Sequence, residues 1–374
     1  MSTGASAAGA PATEPRDAAM RIAVDAMGGD NAPGQIVEGA VWAARDLGVA
    51  IALVGPEPVV RAELAKHDTT GLRLDAVHAE QVIGMDEHPA EAVRAKRRNT
   101  MTVALELVRD GSARAAVSAG NSGAMLAASL FTLRRIPGVD RPALGGIFPA
   151  AGDRRTMVLD IGANTDSKPA YLVQFAVMGA LYLEQVFGVA RPRAGLLSNG
   201  EEESKGDELV REAHALLKVA APAAGINFIG NVEGRNVNDG TVDVVVCDGF
   251  VGNVLLKVEE GLSRMLLDTI RTAITGNPVT AVGGLLARPA FAAVRRQMDY
   301  EEYGGVPLLG VNGVSIVSHG RSGPKAIRSA IRVARQAAEA EVPRLIAEGM
   351  ARVAATAPAS TPAAPDDPSW TVEP

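Results

Sequence analysis

The chain is poor in the residues that mark several common chemistries. It has a single cysteine, five histidines and only 3% aromatic residues. One cysteine excludes a disulfide within the chain and suits a reducing compartment. Cys247 sits in V-V-V-C-D, an apolar strand pattern in which a thiol reads as core packing rather than as a nucleophile. The histidines at 67, 78, 88, 214 and 319 lack metal-ligand spacing, and H-E-x-x-H is absent, so neither metal nor cofactor is expected. Scarce aromatics argue against stacking platforms for single-stranded nucleic acid. A formal charge of -6 and a pI near 5.5 leave no basic footprint, so no nucleic-acid partner is expected. No apolar run reaches the roughly 20 residues of a membrane span. The start lacks a basic segment followed by an apolar one. Together these features read as a cytoplasmic protein. The hydrolase elbow G-x-S-x-G, the P-loop and the dinucleotide fingerprint G-x-G-x-x-G are all missing.

What is present is apolar and regularly spaced. Of 374 residues, 47% are hydrophobic, enough for one large α/β domain or two small ones. Residues 1–19 and 355–374 are rich in Ala, Gly, Ser and Pro without periodicity and read as disordered tails. The first 19 residues read as an extension that adds nothing to the fold. The tails carry net charges of -1 and -3, leaving the body between them near -2. Within 20–354, strand patterns fall at 21–25, 49–54, 72–77, 115–119, 143–149, 156–161, 193–198, 226–230, 242–247 and 314–318. Helical patterns fall at 33–47, 57–66, 89–110, 121–134, 169–187, 205–219, 250–275 and 324–348. Strands apolar on both faces, alternating with helices, predict a doubly wound, Rossmann-like α/β/α fold with a mostly parallel sheet.

The stretch Met20–Pro33, M-R-I-A-V-D-A-M-G-G-D-N-A-P, reads as a strand, a glycine turn and a helix start. That is the architecture of an anion site. Similar loops follow later strands: 118–123 (S-A-G-N-S-G), 160–169 (D-I-G-A-N-T-D-S-K-P), 198–206 (S-N-G-E-E-E-S-K-G), 230–235, 248–253 and 318–322. Each alone is a turn with capping residues. Taken together on one sheet edge, they would offer amides, helix N-termini and the cations Lys168, Lys205, Arg235 and Arg321, an environment suited to phosphate. Glu201-Glu202-Glu203 reads as a solvated acidic turn capping the next helix, with metal binding as the other reading.

These motifs, with R-I-P-G-V-D-R-P-A-L at 135–144, I-N-F-I-G-N-V-E-G-R at 226–235, V-V-C-D-G-F-V-G-N-V at 245–254, Y-G-G-V-P-L-L-G at 303–310 and His319-Gly320, run in order over most of the chain. In this the chain resembles the PlsX family, the bacterial phosphate acyltransferases of phospholipid synthesis. The resemblance implies a phosphotransacetylase-like fold, soluble, homodimeric and loosely membrane-associated. It implies transfer of a long-chain acyl group from acyl-ACP to inorganic phosphate. The acyl-phosphate product passes to a membrane glycerol-3-phosphate acyltransferase. Three positions depart from the expected pattern: Asn31 where His is common, Ser122 within N-S-G, and Arg321 after Gly320.

The reaction suits such loops. Phosphate is already nucleophilic near neutral pH, and a thiol of pKa about 8.5 leaves readily, so the enzyme must mainly position charge. Lys205 and Asn231 are the expected catalytic residues. Asp25, Gly28, Gly29, Asn121, Ser122, Gly123, Asn164, Lys168, Asn199, Asn253 and His319 are the expected substrate-binding set, with Asp25 and Asp30 orienting loops rather than touching phosphate. Each has a plainer reading: Lys205 as a surface lysine beside an acidic turn, the asparagines as caps, His319 as a structural hydrogen-bonder. Arg264, Arg271, Arg288, Arg295 and Arg296 are candidates for docking the acidic carrier protein, or ordinary solvated helix faces. Residues 262–298 read as a helical hairpin: Leu262, Leu266, Ile270 and Ile274 recur every four residues, Gly276-Asn277-Pro278 breaks the helix, and Val279, Val282, Leu285 and Leu286 follow. That tip either enters a membrane interface or packs against a second subunit. The alternatives to the leading function are a phosphotransacetylase acting on acyl-CoA and a non-catalytic acyl-carrier scaffold.

Overall fold

The structure, a computed structural model, describes residues 20–152, 154–298 and 304–355. The expected tails lie outside the described residues, apart from residue 355. Among the described residues there are eleven strands: β1 (Arg21–Asp25), β2 (Ala50–Gly55), β3 (Leu74–His78), β4 (Ala115–Ser118), β5 (Ala143–Ala150), β6 (Arg154–Leu159), β7 (Arg193–Leu197), β8 (Asn227–Val232), β9 (Val244–Val246), β10 (Val306–Leu309) and β11 (Val314–Val317). The helices are α1 (Gly34–Leu47), α2 (Glu57–Leu64), α3 (Pro89–Ala95), α4 (Thr100–Arg109), α5 (Ser122–Thr132), α6 (Pro169–Phe187), α7 (Glu208–Ala224), α8 (Asn236–Asp239), α9 (Gly249–Thr275), α10 (Pro278–Leu286), α11 (Arg288–Met298), α12 (Pro324–Glu339) and α13 (Val342–Ala354).

All eleven strands join one sheet in the order β3-β2-β1-β4-β11-β10-β5-β6-β9-β7-β8. The ten expected strands are all there. The eleventh, β10, hides in the sequence behind Gly304-Gly305 and Pro307, residues that weaken a strand pattern. The helix expected over 89–110 is two helices. The first ends at Ala95, and Asn99 caps the second, accepting a hydrogen bond from the Thr102 amide. The helix expected over 324–348 also breaks, at 340–341, before α13.

The polarity of the sheet was not legible. β1 to β4 and β11 form one parallel block. β6, β9, β7 and β8 form a second. Between them lie three antiparallel steps: β11 to β10, β10 to β5 and β5 to β6. An odd number of reversals makes the two blocks run in opposite directions. Their carboxyl-terminal loops therefore leave in opposite directions, so the expectation of a single edge carrying every loop is corrected to two groups.

Alternate side chains of each strand feed two cores, as expected for a sheet covered on both faces. Ile22 and Val24 join the core beneath α1, α6, α7, α12 and α13, while Ala23 joins the core beneath α4 and α5. Helix α6 is long and apolar enough to cross a membrane by composition, but most of it is buried inside the protein, and Phe175, Met178 and Tyr182 pack in the core.

Candidate active site

The second block carries the more cationic loops. β6, β9 and β7 are successive neighbours, so the loops after them stand side by side at about 4.8 Å per strand step. The loop after β6 is organised by Asp160, which is fully buried. Its Oδ1 accepts from the amides of Leu144, Gly162 and Ala163 at 3.0–3.1 Å. Its Oδ2 accepts from the Asn164 amide at 2.6 Å and Asn164 Nδ2 at 2.9 Å. Burial pushes this carboxyl above its usual range, against the pull of these donors. The first turn of α9 presses on the same loop. The Gly249 amide donates to the Asn164 carbonyl at 2.7 Å, and a side chain at Gly252 would drive into the Asp160 carbonyl. Asp248 caps α9 through the Val251 amide. Asn253 is exposed beside Gly162.

Cys247 is buried and its Sγ lies 3.6 Å from the Asp160 carbonyl oxygen. Burial first, then the neighbouring carboxylates, push this thiol well up. It is an unreactive core thiol, as its sequence setting implies.

Lys168 and Lys205 are exposed. Among the described residues, no side-chain hydrogen bond or ion pair ties up either ammonium. Arg235 is different: it pairs with Glu201 at 2.9 Å and Glu233 at 3.1 Å. Glu203 pairs with Lys218 at 2.7 Å. The acidic turn is thus solvated, but it does not cap α7; Asp207 does, accepting from the Val210 amide. Asn199 Oδ1 accepts from the Gly206 amide at 2.9 Å. Asn231 is buried, with its amide bonded to His214 and to the Glu202 carbonyl.

The first block brings together Asp25, Gly28, Gly29, Asn121, Ser122, Gly123 and His319. Asp25 is fully buried and accepts from the Met27 amide and from Ser118 Oγ at 2.7 Å. Burial pushes its carboxyl up. Gly29 has φ +101°, and a side chain there would meet the Gly320 carbonyl. The Asp30 amide donates to that carbonyl at 2.7 Å. Asn31, the position where His was expected, donates to the carbonyls of Arg321 and Ser322, so it ties the first loop to the last. Asn121 caps α5 and donates to the carbonyls of Met85 and Glu87. Ser122 opens α5, and Gly123 faces Pro89. His319 Nδ1 accepts from the Arg321 amide at 3.1 Å.

The sequence reading missed the organising roles of Asp160, Ser118 and His214. The signal for Asp160 was present, since an acidic residue directly after a β-branched strand and before Gly-Ala-Asn is placed to accept turn amides.

Comparison with known proteins is consistent with this architecture. A family model described as "Fatty acid synthesis protein" matches residues 20–345. The phosphate acyltransferase of Geobacter sp. (strain M21) is 53% identical over 317 residues, covering 85% of this chain and 89% of that protein. That of Geobacter sulfurreducens is 50% identical over 331 residues, covering 88% and 94%. Among solved structures, a phosphotransacetylase from Streptococcus pyogenes superposes with a TM-score of 0.56 at 16% identity, covering 86% of this chain and 94% of that one. EutD phosphotransacetylase from Staphylococcus aureus gives 0.54 at 17% identity, covering 86% and 94%. Those two establish a shared phosphotransacetylase-like fold. The two close relatives and the family match establish more: this chain belongs to the PlsX family of phosphate acyltransferases and is an acyltransferase enzyme.

Proposed function

We propose that the chain moves a long-chain acyl group from acyl-ACP to inorganic phosphate. A phosphate oxygen attacks the thioester carbonyl carbon, the C–S bond breaks, and the thiolate of the carrier leaves and takes a proton from water. The products are acyl phosphate and free carrier. The observation that carries the reading is the second block's set of loops, where Lys168 opens the uncapped start of α6, Lys205 sits on the loop after β7, and both ammoniums and the Asn253 amide are exposed. Such groups offset the charge of phosphate and of the tetrahedral oxyanion. Lys205 holds phosphate or the oxyanion; Lys168 supplements it. The test is an assay of acyl-ACP plus phosphate that follows acyl phosphate, with acyl-CoA run alongside. Lys205→Ala should lower activity by about 10²–10³-fold, and normal activity in that variant would remove Lys205 from the mechanism. A preference for acyl-CoA would instead favour a phosphotransacetylase, and no product from either donor would favour a scaffold.

The same reading assigns the α9–α11 excursion to a homodimer contact and to peripheral membrane association of a cytoplasmic enzyme. Asn277 caps α10 after the break expected at 276–278, and Thr280 Oγ1 donates to the Ile274 carbonyl at 2.8 Å, folding α10 back on α9. Leu262, Leu266 and Ile270 are exposed along α9, and Val279, Val282, Leu285 and Leu286 at the tip are 62–81% exposed. Arg264, Arg271 and Arg288 flank this surface as carrier-protein contacts; the side chains of Arg295 and Arg296 lie outside the described residues. The product would feed a membrane glycerol-3-phosphate acyltransferase. Replacing Val282 and Leu285 with Ser should abolish liposome flotation; undiminished flotation removes the tip from lipid contact.

A further inference from the structure

We propose that His214 and Asn231 form a buried relay that fixes the position of Lys205, so that both act as positioning residues for phosphate binding. The inference rests on the phosphate site proposed above and assigns His214 a part in it.

The relay is continuous. His214 lies on α7 and Asn231 on β8, and each is only 5% exposed. His214 Nδ1 stands 2.8 Å from Asn231 Oδ1. Asn231 Nδ2 donates to the Glu202 carbonyl at 2.9 Å. The Lys205 amide donates to that same carbonyl, also at 2.9 Å. One carbonyl oxygen thus receives both the relay and the backbone of the lysine. The next residue, Gly206, is held by Asn199 Oδ1, which brackets Lys205 on both sides.

The chemistry allows only one orientation. A carbonyl oxygen can accept but not donate, so the Asn231 atom facing Glu202 must be its NH₂. The Asn231 oxygen therefore faces His214, and His214 Nδ1 must carry a proton to donate to it. The other ring nitrogen, Nε2, lies 3.7 Å from Glu203 Oε1, and Glu203 is itself held by Lys218. Phe228 stacks edge-on against the imidazole at 5.3 Å and helps fix its plane. Two buried polar side chains are thus both committed to one exposed loop. Ordering that loop before phosphate arrives removes an entropic cost from binding.

The test separates positioning from general stability. His214→Ala removes the donor, and the KM for phosphate should rise about tenfold, as expected for one lost buried hydrogen bond. The KM for the acyl thioester should stay within about twofold on the same grounds. His214→Asn places an amide N–H near the lost Nδ1–H and should recover the phosphate KM to within about threefold of the parent. Asn231→Asp keeps the shape and the bond from His214. It turns the atom facing Glu202 from donor to acceptor, so it should raise the phosphate KM at least as much as His214→Ala. An unfolded fraction lowers apparent kcat but leaves KM unchanged, so the ratio of the two KM values reads the relay even in a destabilised variant. Unchanged phosphate KM in both His214→Ala and Asn231→Asp overturns the relay, as does a His214→Asn variant no better than His214→Ala. Lys205→Ala in the same assay distinguishes the failures. A normal Lys205→Ala enzyme defeats the proposed phosphate site itself, whereas a crippled one beside normal relay variants defeats the relay alone.

Discussion

Two buried aspartates end the first strand of each parallel block, and they are built differently. Asp25, after β1, takes its closest hydrogen bond from a hydroxyl, Ser118 Oγ at 2.7 Å. Asp160, after β6, takes all five of its side-chain hydrogen bonds from N–H groups. A hydroxyl can reverse its role and an N–H cannot. The first block is therefore pinned by an adjustable partner and the second by a fixed one. The surrounding loops are cross-linked in both blocks and differ in the cations they leave exposed. In the first block they zip to one another, through Asp30 to Gly320, Asn31 to Arg321 and Asn121 to Met85 and Glu87. In the second they are also joined, through Gly249 to Asn164 and Asn231 to Glu202, while the ammoniums of Lys168 and Lys205 stay exposed.

The sharpest way to break this contrast is to turn each carboxylate into an amide. In Asp160→Asn the new NH₂ has only donors to face, so stability should fall by about 3 kcal/mol, read by urea denaturation. In Asp25→Asn the Ser118 hydroxyl turns to accept, and the loss should stay below about 1 kcal/mol. Equal losses would erase the distinction. Gly252→Ala comes next. Its methyl meets backbone rather than a flexible side chain, so it should cost about 2 kcal/mol and raise hydrogen exchange at the Gly249 amide more than at the Asp30 amide.

A third measurement uses pH. Asp243, on the approach to β9, is half-buried against Arg193, which donates to it through Nε and Nη2 at 2.8–2.9 Å. Burial pulls this carboxyl up, but the guanidinium and the Arg193 amide prevail and hold it below its usual range. A depressed folded pKa means that the unfolded chain binds the proton first as pH falls. The contribution is thus complete above the ordinary carboxylate pKa of about 3.9 and is lost as pH drops through the folded value. Asp243→Asn should cost about 1 kcal/mol at pH 7 and flatten the acid limb of the stability profile, while Asp25→Asn leaves that limb unflattened. Ser118→Ala is the smallest change, a loss of at most about 1 kcal/mol, and a larger one would place the first block's anchor on the hydroxyl rather than on Asp25.

Much of the fold was legible because it is local. Runs such as Ile22–Val24 and Val244–Val246 are β-branched and bounded by turns, and Asn99, Asn121, Asp207 and Asp248 each cap the helix that follows. Site identities were legible as spelling: the loops with Lys168, Lys205 and Asn253 stood out as glycine-rich turns after strands. Their grouping was not, because it depends on strand polarity. That polarity is set by β10 and β5, and β10 carries Pro307 and pairs on one side with β5, which is distant in sequence.

By itself, then, the sequence determined the elements, the apolar alternation that covers both faces of the sheet, the inertness of Cys247 and membership of an acyltransferase family. These follow from periodicity, burial preference and motif order, which act over a few residues at a time. Only the tertiary structure decided that the loops fall into two groups facing opposite ways, that Asn31 ties the first loop to the last, and that His214 on α7 reaches Asn231 on β8. Those outcomes depend on which strands pair and in which direction, and pairing is a contest among long-range contacts that no short stretch of sequence records.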